Sequence, residues 1–355
     1  MSDTMKAIAV LAANEVAVID DAKMPHPGAY EALVKIHSCG FCNGTDFHII
    51  DGSLTKAEGL GDYPTILGHE ACGDIVALGS KVRYLRVGDR CIHPINRPDG
   101  KYTMTYGNMC EYALIPDHQA MLEDGYTEEQ LPFNGNSLIG IGPNFAIIPN
   151  EIDPIDGGAM LSLCECFGSA RDFGISEGSS VLVYGCGPMG LGSIRVMKAL
   201  GAARIVAVDG VKDRLDMAVN KMGADKAIDF TKTSVEEALA GERFDFVYDA
   251  VGSVGILESG SHFLKPGGKV CGLGVVGAGK DLLNIHNVQN NVSVHIHMQP
   301  HKRFSHMPEL VDMVLAGKID PKDFYSHVLP MEEIHTAMEL VKNKQCLKVI
   351  IKVAD

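Results

Sequence analysis

Val181-Leu-Val-Tyr-Gly-Cys-Gly-Pro-Met-Gly190 decides the fold. A short apolar run stops at a glycine, and the pattern Gly-x-Gly-x-x-Gly leads into a stretch to Leu200 with helical spacing. A strand that feeds a helix through such a turn suits the pyrophosphate of a dinucleotide. Gly185 permits the tight turn, Gly187 lets the backbone approach phosphate, and Gly190 lets helix and strand close on each other. Pro188 and Met189 open the helix, whose N-terminus faces the phosphate charge. The next apolar strand ends at Asp209, 24 residues after Gly185. There a carboxylate accepts hydrogen bonds from the adenosine ribose hydroxyls and repels a ribose phosphate. NAD is therefore expected rather than NADP, with Arg214 close by on the adenosine side.

Outward from this turn, strand and helix alternate. Residues 212–222 read as helix, Phe244 to Asp249 as strand, and 269–273 as a further strand after the turn Lys265-Pro-Gly-Gly268. Such alternation predicts an α/β unit with a doubly wound parallel sheet covered by helices on both faces. The first third of the chain has a different texture. Short alternating runs such as Glu31-Ala-Leu-Val-Lys-Ile36 are separated by Gly- and Pro-containing turns, which predicts an antiparallel β domain. The strand-like Leu347-Lys-Val-Ile-Ile-Lys-Val353 is expected to return to it. The domains are thus drawn as 1–166 with 296–355, and 167–295 between them.

The 355 residues suffice for two domains that each bury a core. A net charge of −14 repels phosphate backbones and anionic lipid, so neither nucleic acid nor a membrane surface is an expected partner. The early apolar run from Ala7 to Ala13 is too short to span a bilayer and lacks the basic flank of a signal peptide. Ten irregularly spaced cysteines read as reduced thiols and metal ligands of a cytoplasmic protein.

Gly68-His69-Glu70 and the upstream Cys39-Gly-Phe-Cys-Asn-Gly-Thr-Asp-Phe-His48 hold the remaining chemistry. A thiolate and a neutral imidazole suit zinc, and a catalytic zinc needs only three protein ligands with one position left open. Thr45 and His48 fit a proton relay, in which a hydroxyl and then an imidazole carry a released proton to solvent.

With Pro27-Gly-Ala-Tyr-Glu-Ala-Leu-Val-Lys35, Val87-Gly-Asp-Arg90 and Tyr248-Asp-Ala-Val-Gly-Ser253 added, the chain resembles the zinc-dependent medium-chain alcohol and polyol dehydrogenases over nearly its whole length. The pattern is nearest to the sorbitol and polyol members. The resemblance implies a GroES-like catalytic domain built from both chain ends, with a Rossmann domain inserted. It implies Cys42, His69, Glu70 and Glu165 as the metal set, with Cys39 an alternative to Cys42, and Cys164 or Cys166 to Glu165. It places the nicotinamide amide on backbone near Gly274 and Val275. The lobe that carries a second, structural zinc in many relatives has only Cys91 and Cys110 here, so one catalytic zinc is expected. The implied reaction is oxidation of a secondary alcohol of a polyol or sugar-like substrate to a ketone with NAD, by a homodimer or homotetramer. A simple alcohol or threonine-like amino alcohol as substrate is the rival within the class, and a non-catalytic nucleotide-binding protein the rival outside it. His286, His295, His297, His301 and His306 read as strand and subunit-interface groups or a second metal site, and Lys302 and Arg303 as substrate-hydroxyl contacts or a solvated face.

Overall fold

The structure is a computed structural model and describes residues 3–53, 62–104, 107–132, 146–276, 282–296 and 303–353. The chain divides into two compact units: Met1–Leu161 with Met307–Leu315 and Phe324–Asp355, and Ser162–His306 with Ala316–Asp323. The first division falls at 161/162, inside the helix Met160–Phe173, where the sequence placed it at 166/167.

In the second unit six parallel strands line up in the order Lys226–Asp229, Arg204–Asp209, Ser180–Tyr184, Phe244–Asp249, Leu264–Gly272, Ser293–Ile296. Numbered along the chain this is 3-2-1-4-5-6, so the order reverses between the first and fourth strands, where such sheets bind nucleotides. The central strands are continuously apolar because helices cover both faces: Val181, Leu182, Val183, Ile205, Val206 and Ala207 are fully buried. The fingerprint turn leaves the sheet at this reversal, and Ala250 N–H donates to the Tyr184 carbonyl at 2.9 Å.

The first unit holds two sheets. One pairs Glu15–Lys23, Thr4–Ala12, Thr65–Ile66 and Thr103–Met104. The other runs His327–Pro330, Val349–Lys352, Glu31–Phe41, Glu70–Leu78, Arg90–Ile92, Ile147–Ile148, with Tyr112–Pro116 also on Glu31–Phe41. Most pairings are antiparallel, but His327–Pro330 with Val349–Lys352 and Thr65–Ile66 with Thr103–Met104 are parallel. Ile8, Val34, Ile36, Phe41, Leu67, Ile75 and Ile351 form the core between these strands. Register then places the functional groups. Gly40 pairs with Glu70 on one side and with Ile350 on the other, so the strand from the end of the chain lies beside the strand that leads into Cys42.

Candidate functional site

The strand Glu31–Phe41 ends one residue before Cys42, and the short helix Thr45–Asp51 begins three residues later. Between them the chain turns, and the buried Asp46 carboxylate holds that turn by accepting the Cys42 N–H at 2.8 Å. The other Asp46 oxygen lies 3.4 Å from His69 Nδ1. A carboxylate behind one imidazole nitrogen fixes the ring and leaves Nε2 facing the ligand side, the arrangement used behind metal-bound histidines. His69 Nε2 lies 3.8 Å from Glu70 Oε1. The Cys42 Sγ, a His69 ring nitrogen and a Glu70 oxygen all fall within 4.8 Å of one another. Thiol, imidazole and carboxylate around one point, largely buried, is a donor set that fits zinc and leaves a fourth position for substrate.

Charge is balanced from behind. Lys348 Nζ, buried, donates to both Glu70 oxygens at 2.7 and 2.6 Å. Burial works against the ammonium, but Glu70, Cys42 and Asp46 outweigh it and hold its pKa well above the ordinary lysine range. Burial likewise works against a charged His69, and Asp46 and Cys42 overcome it, raising the imidazole well above its usual value. Gly40 makes the Glu70–Lys348 contact possible, since a Cβ there would stand 2.8 Å from Glu70 Oε2 and 2.6 Å from the Gly158 carbonyl.

The structure separates the cysteines that the sequence left open. Cys39 lies within the strand, fully buried, with its thiol donating to Asn108 Oδ1 at 3.5 Å; burial, then Asp46 and Glu70, push its pKa well up. Cys42 is one of two partly exposed cysteines among the ten and is the one that joins His69 and Glu70. Glu165 stands half-buried on Met160–Phe173 in the second unit, between the buried Cys164 and Cys166. Thr45 is half-buried and His48 exposed; they lie three residues apart on one short helix, and His48 Nδ1 meets Ser53 Oγ at 2.9 Å.

At the nucleotide turn, Gly185 has φ 90°, and a Cβ on Gly190 would lie 1.8 Å from the Gly185 carbonyl. A Cβ on Gly187 would meet nothing within 4 Å, which leaves that face of the turn open. Pro188 opens the helix Pro188–Ala199 with Met189 behind it. Asp209 accepts the Cys186 N–H at 2.6 Å and the Val211 N–H at 2.9 Å, so it shapes the turn as well as facing it. Arg214 is half-buried and lies near enough to Cys186 to act on its thiol electrostatically, although burial dominates there and pushes that pKa up to about 12. Gly274 and Val275 follow the strand Leu264–Gly272, and a Cβ on Gly252 would meet the Val275 carbonyl at 2.2 Å.

The Zinc-binding dehydrogenase family profile matches residues 188–316, and that of the Alcohol dehydrogenase GroES-like domain matches residues 28–123. An NADP-dependent isopropanol dehydrogenase of Entamoeba histolytica is 32% identical over 361 residues, covering 96% of this chain and 93% of that protein. The chain belongs to the zinc-dependent medium-chain dehydrogenases. Sheep sorbitol dehydrogenase is 28% identical to this dehydrogenase over 350 residues, 94% of this chain and 92% of that one. In fold it is similar to an Escherichia coli alcohol dehydrogenase solved with NADH, at a TM-score of 0.79 and 22% identity, covering 99% of this chain and 100% of that one.

Five features of this medium-chain dehydrogenase escaped the sequence. Asp46 sits in the quoted Thr-Asp pair but had no role; Lys348 and His93 had no local signal at all. Asp249 closes its strand with a buried carboxylate that accepts the N–H groups of Val251, Gly252 and Ser253 at 2.8, 3.1 and 2.9 Å; burial raises its pKa against those bonds. Phe230, exposed, follows the strand Lys226–Asp229 beside Asp209, with its ring edge against Gly210. His295 packs edge-on to Phe173 and His306 lies 3.4 Å from Asp172. His297, His301 and Lys302 lie outside the described residues. Among the described residues no helix is long and apolar enough to cross a membrane.

Proposed function

We propose that this dehydrogenase oxidises a secondary alcohol of a polyol or sugar-like substrate to a ketone, with hydride passing to NAD and with Cys42, His69 and Glu70 holding one catalytic zinc. The observation that carries the reading is the convergence of those three donors within 4.8 Å. Zinc held there supplies Lewis acidity that lowers the pKa of the alcohol. Thr45 takes the hydroxyl proton and hands it to His48, which sits on the same face of its helix. His48 is exposed, so the proton leaves from there to solvent.

Asp209 receives the adenosine ribose hydroxyls, Gly185 to Gly190 cradle the pyrophosphate, and the exposed Phe230 and Arg214 border the adenosine side. Gly274 and Val275 offer backbone to the nicotinamide amide. The carboxylate of Asp209 supports NAD, because a ribose phosphate there meets like charge. The similarity to sorbitol dehydrogenase supports a polyol. A second reading, a simple secondary alcohol, is favoured by the 32% identity to an isopropanol dehydrogenase. A homodimer or homotetramer is supported by the exposed Val275, Ile285 and Ile296 around the outermost strand Ser293–Ile296.

The deciding experiment measures NADH formation from a panel of polyols, sugars and simple alcohols, before chelation, after it, and after zinc is restored. Polyol activity that disappears and returns with zinc is expected. Chelator-resistant turnover overturns the metal assignment, and activity confined to simple alcohols overturns the polyol.

A further inference from the structure

We propose that His93 is a positioning residue for the metal centre, acting through the backbone that carries His69 and Glu70; this rests on the reading of Cys42, His69 and Glu70 as metal ligands. The strand Arg90–Ile92 stops pairing with Glu70–Leu78 at Ile92 opposite Cys72. His93 comes next with φ 53°, a left-handed backbone conformation uncommon outside glycine, which histidine adopts more readily than most other residues. At this buried position the conformation is held by the surrounding structure.

That turn lets one residue make two bonds to the ligand strand. The His93 N–H donates to the Ala71 carbonyl at 2.8 Å, and ring Nδ1 bonds to the His69 carbonyl. A carbonyl oxygen only accepts, so the imidazole carries its proton on Nδ1. The carbonyls before and after Glu70 are therefore both held by His93, whose side chain is itself buried. The neighbouring carbonyls are held from a second segment: Met109 N–H donates to Leu67 at 2.9 Å and Asn108 N–H to Gly68 at 3.3 Å. Asn108 Nδ2 donates to the Pro94 carbonyl at 2.6 Å, which ties that segment to His93. The direction in which His69 and Glu70 present their donor atoms depends on this backbone frame, and metal affinity depends steeply on groups that orient ligands from behind.

The test compares His93→Ala with His93→Asn. Asparagine tolerates the left-handed backbone and places an amide N–H donor where Nδ1 stands. Zinc-free protein is titrated with zinc against a chromophoric chelator, and with cobalt(II), whose visible absorption reports ligand geometry. Alanine is expected to weaken zinc about 10–100-fold and to alter the cobalt bands, with NADH affinity unchanged. Asparagine is expected to stay within about threefold of the parent, because the donor to the His69 carbonyl is kept. Wild-type zinc affinity and cobalt bands in the alanine variant overturn the proposal. So does an asparagine variant weakened as much as alanine, since the loss then tracks ring volume and not the bond. If the alanine variant does not fold, asparagine decides alone: retained affinity supports the role, and a folded protein with weakened zinc overturns it. Parent protein that takes up no zinc overturns the metal reading and this inference together, a result distinct from all of these.

Discussion

Lys348→Met removes the ammonium that both Glu70 oxygens face, and methionine nearly matches the lysine stem in length, so the change is electrostatic. The two side chains are 5% and 2% exposed and 2.6 Å apart at their closest. At an effective dielectric of ~20, unit charges at that separation attract by about 6 kcal/mol, before desolvation is subtracted. Removing one partner of a buried pair costs about 3–5 kcal/mol, since the remaining charge stays buried without its counter-ion. For a unit of roughly 200 residues each kcal/mol is worth about 2–4 °C, so the first unit is expected to melt about 6–20 °C lower. The assay is thermal unfolding by circular dichroism with chelator and with zinc. A cation bound beside Glu70 replaces part of the missing positive charge, so the deficit is expected to shrink with zinc. The double variant Lys348→Met, Glu70→Gln removes the stranded charge and is expected to recover at least half of the loss. A drop below about 2 °C in chelator, or a double variant no more stable than the single, refutes the reasoning.

Two glycines of the fingerprint separate stability from binding. Gly190→Ala drives a Cβ into the Gly185 carbonyl and is expected to cost about 1–3 kcal/mol in denaturant titration with or without nucleotide. Gly187→Ala meets no protein atom, so stability stays within about 0.5 kcal/mol while NADH affinity by fluorescence titration falls tenfold or more; equal effects of both substitutions on stability would contradict this. Asp209→Gly is expected to shift the ratio of kcat/KM for NADP over NAD upward by about tenfold or more, ~1.4 kcal/mol of relieved repulsion. Both nucleotides should also bind more weakly, because the carboxylate no longer holds the Cys186 and Val211 amides; an unchanged ratio assigns the preference to another residue. Burial works against ionising Asp74, but Arg90, at 2.8 and 3.1 Å, and His37, at 3.0 Å, hold its pKa below the usual carboxylate range. That stabilisation is full above the unfolded value of about 4 and fades as pH falls through the lower folded value. Asp74→Asn should therefore flatten the acid side of a plot of melting temperature against pH, and an unaltered acid limb counts against the pair.

The features legible in the sequence were local in the chain. The strand from Ser180 to Tyr184, the three glycines and Asp209 lie within one strand-helix-strand unit, so their spacing implies their geometry. Cys42 and His69 were visible as donor types, and their convergence comes from pairing between Glu31–Phe41 and Glu70–Leu78, adjacent in the sheet. The choice between Cys39 and Cys42 was not legible, because it turns on where the strand Glu31–Phe41 ends. Asp46 was readable as a residue and not as a pivot, since its second contact reaches across to His69. Lys348 could not be found at all: it pairs with Glu70 across 278 residues, and no periodicity spans that distance. His93 was equally hidden, since its significance is a backbone angle rather than a residue pattern.

The separation between Glu70 and Lys348 also orders events in time. Translation produces the three convergent donors early and the neutralising ammonium only after the entire second unit has been made. At about 5–20 residues per second the interval is roughly 14–56 s, during which Glu70 exists without Lys348. The pairing of Val349–Lys352 with Glu31–Phe41 therefore waits until the whole inserted unit has been synthesised.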